Sequence, residues 1–208
     1  GISARRDVRT RALLSVERWV TANAERIARA LAEDFAKPGF ESFATESGLI
    51  IDEARLLRKQ LPRLMRIRRA ASPMAHFSSR SWIQPEPFGT VLIISPWNYP
   101  FQLAMAPLLG ALAAGNTVVL KPSELAPATA ELLSLMQREL FDPAQVAVIT
   151  GGRETSERLL SERFDHIFFT GSTAVGRVVM EAAAKHLTPV SWSWVARVPA
   201  SWRPMPIW

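Results

Sequence analysis

The chain has 208 residues, 48% of them hydrophobic and 21% charged, the balance of an ordinary soluble globular protein. It has no cysteine, which excludes disulfides, thiolate metal sites and a thiol nucleophile within these residues, and His76, His166 and His186 are too scattered to ligate zinc. Its 25 basic and 19 acidic residues leave a net charge of +6, and no apolar run approaches the ~18 residues that a membrane span requires.

Residues 1–70 read as helical. Val8, Leu13, Val16, Trp19 and Val20 recur at roughly helical spacing, as do Ile27, Leu31 and Phe35. Asn23 is suited to cap the second of these helices, and Lys37-Pro38-Gly39 to end it. A third helix is predicted from about Ser42 to Leu61, with Ile50, Ile51, Ala54, Leu57 and Leu61 on one side and Pro62 as its terminator. Much of the positive excess lies in Arg58, Lys59, Arg63, Arg66, Arg68 and Arg69. A nucleic-acid surface would interleave aromatic side chains with such charges for stacking. None stands between Arg55 and Ala75, so the run reads as a solvated helix face followed by a basic connector. Residues 70–87 form that connector and contain Pro73, Pro85 and Pro87. The N-terminus has no basic-then-apolar leader pattern, so the expected setting is the cytoplasm, with neither membrane nor nucleic acid as partner.

From Gly89 the rhythm changes. Thr90–Ser95, Thr117–Lys121, Val146–Thr150 and His166–Thr170 read as strands. Between and after them, helices are predicted over Phe101–Ala114, Pro127–Phe141, from about Thr155, and over Thr173–His186. Four strands alternating with helices imply right-handed crossovers and an α/β, doubly wound, Rossmann-like parallel sheet. The strands are nearly all apolar, as expected when both faces are covered.

In such a sheet, ligands bind beyond the carboxyl ends of the strands. Three marked segments fall there: Ser95-Pro96-Trp97-Asn98-Tyr99-Pro100, Lys121-Pro122-Ser123-Glu124, and Phe168 through Gly176. Gly171 and Ser172 open a helix whose free N–H groups suit a phosphate. Gly176 permits close approach of the helix to a strand or a ligand. Lys121 as donor and Glu124 as acceptor match a ribose diol. Asn98 offers an amide donor for a developing oxyanion. Singly, each has an ordinary explanation as a cap, a surface turn or a loop residue, and the Trp97, Phe168 and Phe169 rings as core. The Gly-x-Gly-x-x-Gly fingerprint is absent.

Taken together they are specific. Pro87-Phe88-Gly89, Ser95 to Pro100, Ala113-Ala114-Gly115-Asn116, Lys121 to Glu124 and Phe169-Thr170-Gly171-Ser172, in this order and spacing, resemble the aldehyde dehydrogenase superfamily. The resemblance covers about residues 7–190. Ser172-Thr173-Ala174-Val175-Gly176 and the short helical front look like the class 3 and coniferyl aldehyde dehydrogenase branch. The resemblance implies NAD or NADP as cofactor, a small-molecule aldehyde as substrate, and a homodimeric full-length parent. By position it makes Asn98 the oxyanion donor. It places Ser95, Trp97, Lys121, Ser123, Glu124, Gly171, Ser172, Thr173, Ala174, Val175 and Gly176 around the cofactor. The family's thiolate nucleophile and general-base Glu have no counterpart here. A chain with only the cofactor edge reads alternatively as a non-catalytic nucleotide-binding or interaction module.

After Leu187-Thr188-Pro189-Val190 the family continues Leu-Glu-Leu-Gly-Gly-Lys-Ser-Pro, whereas this chain reads Ser191-Trp192-Ser193-Trp194-Val195-Ala196. Encoding Val190 to Val198 as GTC AGC TGG AGC TGG GTG GCA AGA GTC and reading from the third base gives Gln-Leu-Glu-Leu-Gly-Gly-Lys-Ser. The organisation expected is therefore 1–86 helical region and connector, 87–190 NAD(P)-binding α/β region, and 191–208 an out-of-frame tail. A sheet that stopped at Val190 would leave an open edge prone to self-association.

Overall fold

A computed structural model describes residues 5–194. Helices α1 (Arg6–Ala22) and α2 (Ala24–Phe35) are followed by a short α3 (Gly39–Ser42), which passes through a π-helical turn at Phe43–Ser47 into α4 (Gly48–Leu64). The helical spacing is realised as burial: Leu13, Val16, Trp19 and Val20 on α1, Ile27 and Leu31 on α2, and Ile50, Ile51, Ala54 and Leu61 on α4 form one core. Three details differ from expectation. Asn23 occupies the N-cap position of α2 as expected, but its side chain makes no cap bond there; its amide donates back to the Trp19 carbonyl at 2.9 Å and so closes α1. Pro62 does not end its helix, which runs to Leu64 because a proline in the last turn removes only one intrahelical bond. Phe35 stands half out of the core and meets Trp97 instead.

The connector is not structureless. Strands β1 (Arg68–Ala70) and β2 (Ser81–Ile83) pair antiparallel and set Arg69 opposite Trp82. An aromatic neighbour that the basic run lacks along the chain is thus supplied across the ladder.

The main sheet contains β3 (Thr90–Ile94), β4 (Thr117–Lys121), β5 (Val146–Val148), β6 (His166–Gly171) and β7 (Val190–Trp194) in the order β5-β4-β3-β6-β7, all parallel. The crossover helices are α5 (Gln102–Ala114), α6 (Pro127–Leu140), α7 (Arg153–Ser161) and α8 (Thr173–Ala184). Side chains alternate along the strands. Val91, Ile93, Val118 and Leu120 face the core shared with α1, α4, α5 and α6. Leu92, Ile94, Ile167 and Phe169 face α7 and α8. Helix α5 is apolar all round because it is sandwiched between the N-terminal helices and the sheet.

Among the described residues the sheet has five strands where four were expected. Val190–Trp194 lies along β6, from Ile167↔Val190 to Gly171↔Trp194. The physical reason is its period of two: Val190 and Trp192 pack with the α8 cluster, while Ser191 and Ser193 line the opposite face. The edge of β6 is therefore covered rather than open. The rest of the expected tail, 195–208, lies outside the described residues.

Candidate active site

The chain leaves β3 toward β4 and β5 on one side, then returns to β6 and β7 on the other. The topological switch point falls between β3 and β6, where α/β sheets open a crevice for ligands. Ile94 pairs with Lys121 on one side and with Phe169 on the other. Ser95, Pro122 and Thr170 are the next residues of the three strands, so the segments singled out in the sequence do meet at one edge.

Two hydroxyls at the switch point are unusual. Ser95 and Thr170 are 4% and 3% exposed, and neither hydroxyl oxygen has a hydrogen-bond partner among the described residues. Buried polar atoms are ordinarily paired, so an orphaned pair at a sheet's ligand edge marks a place where a polar group from outside would fit. The Ser95 backbone is fixed by its N–H bond to the Lys121 carbonyl at 3.1 Å. Beyond it, Asn98 is half-buried, and its side-chain amide makes no hydrogen bond among the described residues. Trp97 is not core: it is 52% exposed, with its ring 6.1 Å from that of Phe35.

At the end of β4, Lys121 is buried with 3% exposure, while Glu124 stands out to solvent. They are bonded to each other, Lys121 Nζ to Glu124 Oε2 at 2.7 Å. That hydrogen bond, with the lysine's charge, holds the Glu124 carboxyl below the ordinary carboxylate range. Glu124 is thus a fixed anion with one oxygen still available, and the Lys121 ammonium keeps protons to donate. Buried Ser123 accepts from the Leu125 N–H at 3.2 Å, shaping the turn. A cleft of ≈ 450 Å³ opens beside Ser123 and Glu124, walled by Pro127 and Arg138 of α6 and by Thr150 and Gly151 after β5.

Helix α8 begins at the end of β6. Ser172 is its N-cap and accepts from the Val175 N–H at 3.4 Å, a long bond. Ser172, Thr173, Ala174 and Val175 are exposed, leaving the helix's first amides open to a ligand. The two glycines have packing reasons. A Cβ on Gly171 would fall 2.5 Å from the Phe169 ring, and one on Gly176 would fall 2.0 Å from Trp192 of β7. Of the two readings of Gly176, the structure favours close approach of helix to strand.

An apolar groove of ≈ 550 Å³ lies between α5 and the β6–β7 face; Phe88, Ala114, Asn116, Phe168 and Thr170 of the marked segments line it, but Asn98, Lys121 and Glu124 do not. The polar donor and acceptor groups Lys121, Ser123 and Glu124 lie instead at the end of β4. Among the described residues no cluster of His, Asp or Glu suits a metal ion, and no helix is long and apolar enough to cross a membrane.

Sequence reasoning did not find Glu46 or Lys37. Glu46 is fully buried and accepts hydrogen bonds from the Phe101 and Gln102 backbone N–H groups just beyond Asn98. Its only signal was an acid within a predicted helix, 55 residues from its partner. The Thr170 hydroxyl was read as part of a turn motif rather than as a group in its own right.

The switch point, the lysine–carboxylate pair and the open helix N-terminus lie at one edge of a doubly wound α/β sheet. The aldehyde dehydrogenase family model matches residues 4–194, and the chain belongs to the aldehyde dehydrogenase family. Aldehyde dehydrogenase family 3 member B2 of Mus musculus is 45% identical over 185 residues, 89% of this chain and 39% of the relative. The 4,4'-diaponeurosporen-aldehyde dehydrogenase of Staphylococcus aureus is 44% identical over 165 residues, 79% of this chain and 36% of the relative. The family 3 relatives agree with the class 3 resemblance. Among solved structures, a substrate-bound state of Staphylococcus aureus AldH superposes with a TM-score of 0.90 at 38% identity, covering 92% of this chain and 42% of that one. An aldehyde dehydrogenase of Mycobacterium tuberculosis complexed with NAD+ gives 0.80 at 27% identity, covering 89% and 38%. The chain spans about two fifths of the length of the relatives it matches.

Proposed function

We propose that residues 87–190 bind a nicotinamide dinucleotide, with NAD preferred over NADP, and that the chain is the cofactor-binding front of an enzyme that oxidises an aldehyde to a carboxylic acid. The observation that carries this reading is the Ser95–Thr170 hydroxyl pair at the switch point, unpartnered among the described residues like the nearby Asn98 amide, together with the Lys121–Glu124 pair at the end of the neighbouring strand. Lys121 and Glu124 hold the ribose diol. Ser123 lines the same cleft as Glu124, Trp97 stands on the Asn98 loop against Phe35, and the amides of Gly171 to Gly176 receive the phosphates. The fixed negative charge of Glu124 disfavours a 2′-phosphate. A bound nicotinamide supplies the hydride acceptor for aldehyde oxidation. Asn98 contributes an N–H to the oxygen on which negative charge develops.

These 208 residues contain no thiol, so the covalent path the family uses is not available from them alone. The departure at Ser191 supports a one-base shift of reading frame. In the shifted frame Leu replaces Trp192 and Trp194, and Glu replaces Ser193. The shift exchanges one bulky apolar residue for another at every second position, which keeps a strand pattern while losing the acid.

The test is a titration of the 208-residue chain with NADH, followed by nucleotide fluorescence and calorimetry. Saturable binding is expected, weakened at least roughly tenfold by Lys121→Met, a loss of about 1.4 kcal/mol, with no steady NADH production from NAD and an aldehyde. Absence of saturable binding in the folded chain would refute the cofactor reading.

A further inference from the structure

We propose that Glu46 and Lys37 are positioning residues that set the Asn98 amide, a role that rests on the proposed part of Asn98 as an oxyanion donor. The two come from the N-terminal helices and converge on the segment after β3. Glu46 lies in the π-helical turn Phe43–Ser47 and is wholly buried. Its carboxylate uses both oxygens. Oε1 accepts from Lys37 Nζ at 2.6 Å, and Oε2 accepts from the Phe101 N–H at 2.9 Å and the Gln102 N–H at 3.2 Å. Helix α5 has no cap of its own: Phe101 occupies the N-cap position, its first turn has no acid, and Pro100 brings no N–H. A carboxylate from another element therefore both satisfies the helix's leading amides and complements its dipole.

Lys37 reaches the other side of the same segment. Besides pairing with Glu46, its ammonium lies 4.4 Å from the centroid of the Tyr99 ring. Tyr99 needs such a restraint, because its φ of +51° is a left-handed conformation that side-chain-bearing residues rarely adopt. Two residues earlier, Trp97 rests against Phe35 at the end of α2. The corner after α2 and the π turn thus hold residues 97, 99, 101 and 102 by a ring contact, a cation and a carboxylate. Asn98, between them, makes no side-chain hydrogen bond among the described residues. That is the arrangement an oxyanion donor requires: backbone fixed on both sides and the N–H group left free. Neither residue is placed to touch the reacting atoms; both act through the loop.

Tyr99 is the only tyrosine in the chain, so 3-fluorotyrosine gives a single ¹⁹F resonance from this loop. In the purified 208-residue chain, Glu46→Gln and Lys37→Met are each expected to shift that resonance toward the position of free tyrosine. Glu46→Gln is further expected to raise hydrogen exchange at the Phe101 and Gln102 amides at least tenfold. Exchange at Leu92 and Ile93 in β3 and NADH affinity should stay within twofold of the parent. Lys37→Arg, which keeps the cation, should restore the parent resonance. Folded Glu46→Gln and Lys37→Met chains with an unmoved resonance and unmoved Phe101 and Gln102 exchange would overturn the proposal. If Glu46→Gln does not fold, the Tyr99 resonance in Lys37→Met decides, since there the carboxylate still holds the α5 amides. If Lys37→Met and Lys37→Arg both collapse, the pair is a structural strut and the proposal fails. None of these readings uses substrate, and failure of the parent chain to bind NADH would count against the cofactor reading while leaving the loop measurement intact.

Discussion

Gly176 carries the sharpest test of how β7 sits on the sheet. Replacing it with alanine puts a methyl carbon 2.0 Å from Cζ3 of Trp192 and 2.8 Å from its Cη2. Carbon atoms in contact settle at about 3.5–4.0 Å, so the ring must retreat by roughly 1.5 Å. Retreat is hindered because Trp192 meets Phe169 edge-on, with centroids 6.0 Å apart, and its backbone is paired to β6. Overpacking of this kind costs about 1–3 kcal/mol, and loss of the edge-on pair adds about 0.5–1.5 kcal/mol. A total near 3 kcal/mol lowers the melting temperature of a chain of this size by roughly 6–12 °C. Thermal unfolding followed by circular dichroism reads it directly. The same substitution in a Trp192→Leu background, where the ring is gone, should cost under about 1 kcal/mol, a coupling of about 2 kcal/mol for residues in contact. If Gly176→Ala costs the same in both backgrounds, or leaves stability within about 0.5 kcal/mol of the parent, β7 does not pack on α8 and the five-strand account is wrong.

Other perturbations reach other parts of the molecule. The His166 ring stacks on Phe88 with centroids 4.9 Å apart, and burial pushes its pKa below 6.5, so the fold favours the neutral ring. Its contribution is present above pH 6.5 and is lost as pH falls through and below that value; melting should become easier on acidification, and His166→Phe should flatten that part of the profile. Glu124→Gln removes a carboxylate held ionised by Lys121 and should raise NADP affinity relative to NAD by roughly tenfold; an unchanged ratio in parallel titrations would detach Glu124 from cofactor choice. Asp34 of α2 caps α6 from outside, accepting from the Ala128 N–H at 3.0 Å, the Thr129 N–H at 2.8 Å and the Thr129 hydroxyl at 2.7 Å. Asp34→Ala should therefore destabilise by about 1–3 kcal/mol in chemical denaturation. Sequencing the gene across codons 185–208 should reveal the Leu-Glu-Leu-Gly-Gly frame one base away, and codons that cannot be read so would end the frameshift account.

The sequence alone determined the α/β region and its edge. Strand and helix identities from Thr90 through α8 follow from short β-branched apolar runs alternating with longer helical periods, and these local patterns survive because the sheet is covered on both faces. Once the strands are parallel and consecutive, Ser95, Lys121 and Thr170 must emerge at the same end, so the grouping of the site was already legible in the order of the segments. Only the tertiary structure decided what lies between the local patterns. Arg68–Ala70 and Ser81–Ile83 are too short to announce themselves as strands, and each exists by pairing with the other. Ser191-Trp192-Ser193-Trp194, anomalous as composition, becomes a strand because β6 offers an edge and α8 offers Gly176. Glu46 is a plain acid in a helical run until the chain folds back and delivers the α5 amides and Lys37 to its two oxygens. A buried charge is stable only with partners from distant sequence, and no local pattern encodes such partners.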